Sequence, residues 1–135
     1  MMILKFDKIL SMKLLIQILL GLFSLLLFFS AVVQYNDPDP LHWMFLYGFS
    51  AFLCAYGIFK KVNKAFIFFS LGAVVLQLLI VLDGAYFWVQ SGMENILTTP
   101  MGEEKPYIEQ MREFLGTSIV GASNMLLFYW QKWKI

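Results

Sequence analysis

Four stretches without a charged residue constrain this chain more than any other feature of its sequence. They cover residues 14–33, 41–59, 65–82 and 114–130, and they are 20, 19, 18 and 17 residues long. An α-helix rises ~1.5 Å per residue and the hydrocarbon core of a bilayer is ~30 Å thick, so runs of this length fit a membrane span. Lipid offers the backbone no hydrogen-bond partners, which leaves helices as the stable form. We therefore predict an all-α polytopic membrane protein, a four-transmembrane-helix bundle forming a single membrane domain over residues 1–135.

The composition excludes several other classes of protein. Hydrophobic residues make up 60% of the chain and charged residues 14%, whereas soluble proteins average roughly 25% charged residues. A single cysteine excludes a disulfide scaffold and a paired-cysteine redox site, and a single histidine excludes two-histidine haem ligation. The net charge of +1 gives no reason to expect nucleic acid. No cofactor is predicted.

The distribution of basic residues predicts the orientation of the bundle. Eight of the ten flank the first span, fill the turn between spans two and three, or follow span four: Lys5, Lys8, Lys13, Lys60, Lys61, Lys64, Lys132 and Lys134. By the positive-inside rule this face is cytoplasmic. Both termini are then cytoplasmic, residues 83–113 form an extracytoplasmic segment, and in a bacterium the protein lies in the inner membrane.

Turn and cap signals divide the connections. Asp39 suits a helix N-cap with Pro40 at the first helical position. The tight basic turn at residues 60–64 predicts an antiparallel hairpin of spans two and three. In the long outer segment, Ser91-Gly92 indicates a break and Pro106 a helix start, so that the last helix runs from about Pro106 past Trp130.

Polar and aromatic residues at the predicted outer ends of the helices are the candidates for function. This outer rim comprises Asn36, Asp37, Asp39, His42, Trp43, Glu109, Arg112 and Glu113. Carboxylates with an imidazole suit a divalent cation or acid–base chemistry, so the candidate metal ligands are Asp37, Asp39, His42, Glu109 and Glu113. The alternative is structural: carboxylates gather at a rim because each costs ~3 kcal/mol at the bilayer centre. In that interpretation Asp39 caps a helix and Arg112 pairs with Asp83.

The polar residues inside the membrane are not ionisable, which argues against a proton-coupled carrier. They are Gln17, Ser24, Gln77, Thr117, Ser118, Ser123 and Asn124. Thr117, Gly121 and Asn124 share one helical stripe, a pattern typical of close helix packing.

We expect Cys54 to be a buried apolar residue. Trp43 and Tyr47 lie near the outer interface and are interpreted as rings that anchor the protein at headgroup depth.

Two motifs connect the chain with a known family. The run Gln34-Tyr35-Asn36-Asp37-Pro38-Asp39-Pro40, followed by Trp43, resembles the Asn-Asp-Pro-Asp motif of the transmembrane protein 220 family. The run Arg112-Glu113-Phe114-Leu115-Gly116 resembles that family's Arg-Glu and downstream Gly at the start of the last span. The resemblance implies a small four-span membrane protein and no known reaction.

Three hypotheses for function remain open. The first is a non-enzymatic accessory or scaffold subunit whose outer rim docks a partner or orders the bundle. Its partners would be the lipid bilayer and other membrane protein subunits or further copies of the chain. The second is a membrane enzyme or metal-binding protein that uses the Asp/His/Glu cluster. The third is a channel or carrier with a polar path past Gln77 and Asn124.

Overall fold

The computed structural model describes residues 2–36, 40–93, 95–96 and 106–133, and in these ranges all regular structure is helical. The elements are α1 (Met2–Val33), a short 3-10 helix (Gln34–Asn36), α2 (Pro40–Phe59), α3 (Lys64–Ile80), α4 (Leu82–Gln90) and α5 (Pro106–Trp133). The all-α prediction is confirmed. Asp37 and Asp39 lie outside the described residues.

The helix ends follow the local sequence signals. Proline opens both α2 and α5, because its fixed φ and missing N–H suit the first helical position. Asn63 caps α3: its side chain accepts a 2.9 Å hydrogen bond from the Ala65 N–H. After α4 the chain reverses through Gly92, whose φ of +93° favours glycine.

α1 begins well before the apolar run that predicted it. The run starts at Leu14, whereas the helix starts at Met2 and includes the exposed Lys5 and Lys8. Charge excludes residues from lipid but not from a helix, since lysine is a good helix former. The apolar run therefore marks the part of α1 that fits the bilayer and not the start of the helix.

Two helices, α1 and α2, are long and apolar enough to cross a membrane by length and composition, and α3 with α4 makes a third candidate, bent by 43°. The bend lies at Val81, between the two helices. The predicted third span ends one residue later, at Leu82. The count of four spans stays a prediction.

α5 is polar because it faces other helices. It contacts α1, α2, α3 and α4. Thr117, Ser123 and Asn124 are fully buried, and Gln131 is nearly so. A hydropathy score treats every side chain as if it faced lipid, whereas these polar side chains face other helices of the protein. Of the predicted packing stripe, Thr117 and Asn124 are therefore in the interior of the bundle, and Gly121 is half-buried next to Val74 of α3.

Two apolar clusters hold the bundle together. Near the basic turn, Leu20, Cys54, Ile67 and Leu127 are buried together with Trp130. At the opposite end of the bundle, the second cluster consists of Leu27, Ala31, Trp43, Leu46, Tyr47, Ala51, Val74 and Val120. A 2.8 Å hydrogen bond from the Ser24 hydroxyl to the Ala51 carbonyl joins α1 to α2 between these clusters. The prediction that Cys54 is a buried residue is confirmed.

Candidate functional site

His42 connects the N-terminal end of α2 with the C-terminal end of α3. Its Nε2 lies 2.7 Å from Oε1 of Gln77, a buried residue near the end of α3. An amide oxygen only accepts, so this contact assigns the imidazole proton to Nε2. The ring also meets Trp43 edge-on, with centroids 5.3 Å apart. His42 therefore links two helices through a hydrogen bond. In this arrangement its Nε2 is a hydrogen-bond donor rather than a metal ligand.

Trp43 and Tyr47 are core residues, which differs from the interfacial anchors expected from the sequence. They are 5% and 8% exposed, and their rings stack with centroids 5.9 Å apart. α2 turns this face toward α5, where a methyl group added at Gly116 would overlap the Tyr47 hydroxyl. The glycine of the Arg-Glu-Phe-Leu-Gly run thus makes room for the tyrosine.

Glu109, Arg112 and Glu113 lie along the first turns of α5. Glu109 is exposed, while Arg112 and Glu113 are partly buried. The Arg112 Nε donates a hydrogen bond to the Ile96 carbonyl, and this bond connects the loop before α5 to the helix. The Glu113 carbonyl accepts a 2.7 Å hydrogen bond from the Thr117 hydroxyl. The Arg112 side chain therefore holds the preceding loop, whereas the Glu113 contact is made by its backbone within α5.

The structure describes five of the eight predicted rim side chains, namely His42, Trp43, Glu109, Arg112 and Glu113. Asn36 ends the 3-10 helix, but its side chain lies outside the described part of the protein, as do Asp37 and Asp39. Within the described ranges no group of three or more His, Cys, Asp or Glu residues is placed to hold a metal. The metal hypothesis depends on Asp37 and Asp39 and stays a prediction.

The sequence placed Asn124 on a packing stripe, but it did not identify the two serines that form a buried polar cluster with this residue. The hydroxyls of Ser50 on α2 and Ser70 on α3 lie 3.0 Å apart. The Asn124 Nδ2 on α5 lies 3.1 Å from the first hydroxyl and 2.9 Å from the second. All three side chains are at most 1% exposed. The one available signal was the presence of two serines in otherwise apolar runs.

A second unforeseen set of contacts holds the basic turn against α5. The Gln131 Oε1 accepts a 3.0 Å hydrogen bond from the Val62 N–H. One residue earlier, the Trp130 indole N–H donates to the Gly57 carbonyl at 2.8 Å. These two bonds fix the end of α5 to the end of α2 and the turn that follows it.

Comparison with known proteins agrees with the two motifs at the outer ends of the helices. No curated protein and no solved structure matches the chain. The model of the family described as Transmembrane family 220, helix, matches residues 26–130, which include both motifs and most of the sequence. The chain therefore belongs to transmembrane family 220 and is an integral membrane protein.

Proposed function

We propose that this protein is a non-enzymatic accessory or scaffold subunit of a membrane assembly, with its outer rim as the docking surface. The observation that carries the proposal is the pairing of His42 with Gln77. The only imidazole of the chain is committed to a contact between helices. Arg112, bonded to the Ile96 carbonyl, is likewise engaged within the fold.

The buried polar groups support the same role. Among the described residues, the buried polar side chains are those of Ser, Thr, Asn and Gln, and no Asp, Glu, Lys, Arg or His is buried. Ser50, Ser70 and Asn124 bond to one another across three helices. Interhelical hydrogen bonds of this kind stabilise packing in lipid, whereas ion-coupled transport uses ionisable groups. The bundle interior thus has the chemistry of a structural element.

The partner is expected to be another membrane protein subunit or a second copy of the chain. By sequence, the outer rim carries four carboxylates, those of Asp37, Asp39, Glu109 and Glu113, and one arginine, Arg112. Charge complementarity then favours a partner with a basic surface outside the membrane. The rival hypothesis, a metal-binding or catalytic site, would need Asp37 and Asp39 to meet Glu109 or Glu113.

Affinity purification from cells expressing the tagged protein at its native level tests the docking role. We expect a companion membrane protein in stoichiometric amount. The double variant Asp37→Asn, Glu109→Gln should recover at least tenfold less of it, which corresponds to a loss of about 1.4 kcal/mol in binding free energy. Asp7→Asn removes an acid at the opposite end and serves as the matched control. Recovery of the chain alone, or a companion that the rim variant retains, would count against the proposal.

The orientation that places this rim outside the cytoplasm has its own test. Cys54 is fully buried, so the wild-type chain should give a low background with a membrane-impermeant maleimide. We expect Gln90→Cys, at an exposed position after the bend, to react in intact cells. Lys61→Cys, in the basic turn, should react only after the membrane is permeabilised. Labelling of Lys61→Cys but not Gln90→Cys in intact cells would reverse the orientation.

A further inference from the structure

A groove lies at the basic end of the bundle, opposite the outer rim. Its lining residues are Lys61, Val62, Asn63 and Lys64 of the turn and Gln131 of α5, and its volume is about 510 Å³. This is within the range of ligand pockets, ~300–1,000 Å³. We call it the basic groove. It uses none of the rim residues, so what it binds is independent of the docking role proposed above.

Gln131 lines this groove and carries a buried hydrogen-bond donor. Its side chain is 3% exposed, and its Nε2 has no hydrogen-bond partner among the described residues. The bond from the Val62 N–H to Oε1 fixes which end of the amide is oxygen, so the atom without an acceptor is the NH₂ group. A buried donor without an acceptor is costly. The site is therefore complementary to an oxygen atom that accepts hydrogen bonds.

The charges around the groove select an anion. Lys61 and Lys64 both line it and are exposed. α3 starts at Lys64, and the N-terminal end of a helix carries the positive end of its dipole. A ligand with oxygens and negative charge, such as a phosphate, satisfies all of these groups together.

The position of the groove indicates the source of the phosphate. Phe59 and Phe66, on either side of the turn, are 80% and 53% exposed. Large exposed aromatic side chains belong in lipid or at its interface, so the groove opens where acyl chains meet water. We propose that the basic groove binds the phosphate of an anionic phospholipid headgroup, with Lys61 and Lys64 providing the charge and the Gln131 amide a directional hydrogen bond.

Native mass spectrometry of the purified full-length protein, with phosphatidylglycerol or phosphatidylcholine added, measures this binding. We expect preferential retention of phosphatidylglycerol by the wild type. The double variant Lys61→Gln, Lys64→Gln should weaken that retention roughly thirtyfold, because each lysine near anionic lipid contributes about fivefold. The matched control, Lys5→Gln with Lys8→Gln, removes two exposed lysines of α1 and should retain the lipid. Equal loss in both double variants would overturn the proposal, as would equal retention of the two lipids by the wild type.

Gln131→Glu isolates the hydrogen bond. A carboxylate keeps an acceptor for the Val62 N–H and replaces the donor with a negative oxygen, so the turn should stay folded while phosphatidylglycerol retention falls. Thermal unfolding without lipid checks that each variant is folded.

A second experiment uses inorganic phosphate, which should stabilise the wild type less than phosphatidylglycerol does. If phosphate stabilises the protein equally, the site binds a free anion and the lipid proposal is wrong. If Gln131→Glu retains the lipid, the Gln131 amide does not bind the phosphate, and that part of the proposal is wrong.

Discussion

Gly84→Ala is expected to destabilise the bundle by about 1–3 kcal/mol, the usual cost of overpacking a tight contact. Gly84 is buried in α4, and a methyl group added there would overlap the Cβ of Gln110 on α5 and lie 2.6 Å from that side chain's Oε1. A Cβ atom is fixed by its backbone and cannot rotate away. The new methyl group must therefore push α4 away from α5. Thermal unfolding in detergent, followed by tryptophan fluorescence, measures the loss.

Gly72→Ala is the matched control for this prediction. Gly72 also lies inside a helix, α3, but a Cβ added there meets no atom within 4 Å. Alanine is a better helix former than glycine by up to about 1 kcal/mol, so this variant should be as stable as the wild type or slightly more stable. Equal melting temperatures for Gly84→Ala and Gly72→Ala would show that α4 does not pack against α5 at this glycine.

Asn124→Ala is expected to destabilise the protein by about 2 kcal/mol, from lost interhelical hydrogen bonds and the small cavity left behind. The Asn124 amide is the group that connects α5 to both Ser50 and Ser70. Once it is removed, those two hydroxyls still bond to each other, which limits the loss. Unfolding by a denaturing detergent, compared with the wild type, gives the difference in stability.

A double-mutant cycle separates the hydrogen bond from the cavity. Asn124→Ala combined with Ser70→Ala should cost less than the sum of the two single changes, because the shared bond is lost once. Ser30→Ala is the control, since that hydroxyl bonds to the Leu26 carbonyl of its own helix and, within the described residues, to no other helix. Its loss should be within about 0.5 kcal/mol. Strict additivity of Asn124→Ala and Ser70→Ala would mean that the two side chains do not stabilise each other.

Gly84, Gly116 and Asn124 also bear on the proposed role. A scaffold subunit presents its rim reliably only if its helices hold fixed positions. Gly84, Gly116 and Asn124 all stabilise the position of α5 relative to its neighbours. Variants at Gly84 and Asn124 should therefore weaken companion binding only as far as they weaken the fold, whereas Glu109→Gln changes the rim and leaves the fold intact.

Several features of the fold were predictable from the sequence because their causes are local. Charge-free runs indicated helices, since their backbone must bond to itself in lipid. Pro106 marked the start of α5, the basic turn lies between α2 and α3, and Gly92 ends the segment after α4, as expected. The Arg-Glu-Phe-Leu-Gly run and the Asn-Asp-Pro-Asp run were sufficient to indicate the family.

The candidate site could be predicted only as a set of residues. His42 and Trp43 were named for their chemistry, but their contacts depend on how α2 is rotated against α3 and α5. The aromatic pair Trp43 and Tyr47 was assigned to the interface because tryptophan and tyrosine are common there. The Tyr47 hydroxyl fits into the space that Gly116 leaves on another helix, and no pattern within α2 reveals that space.

The sequence alone determined that the chain forms helices, that it lies in a membrane and that its charge is unevenly distributed. Helix formation and the exclusion of charge from lipid depend on each stretch of chain by itself. Only the tertiary structure decided which polar groups meet: His42 with Gln77, Gln131 with Val62, and Asn124 with two serines. Such partners lie 35 to 74 positions apart along the chain. Helix periodicity defines the faces of each helix, but the rotation that brings two faces together is set by the packing of the whole bundle.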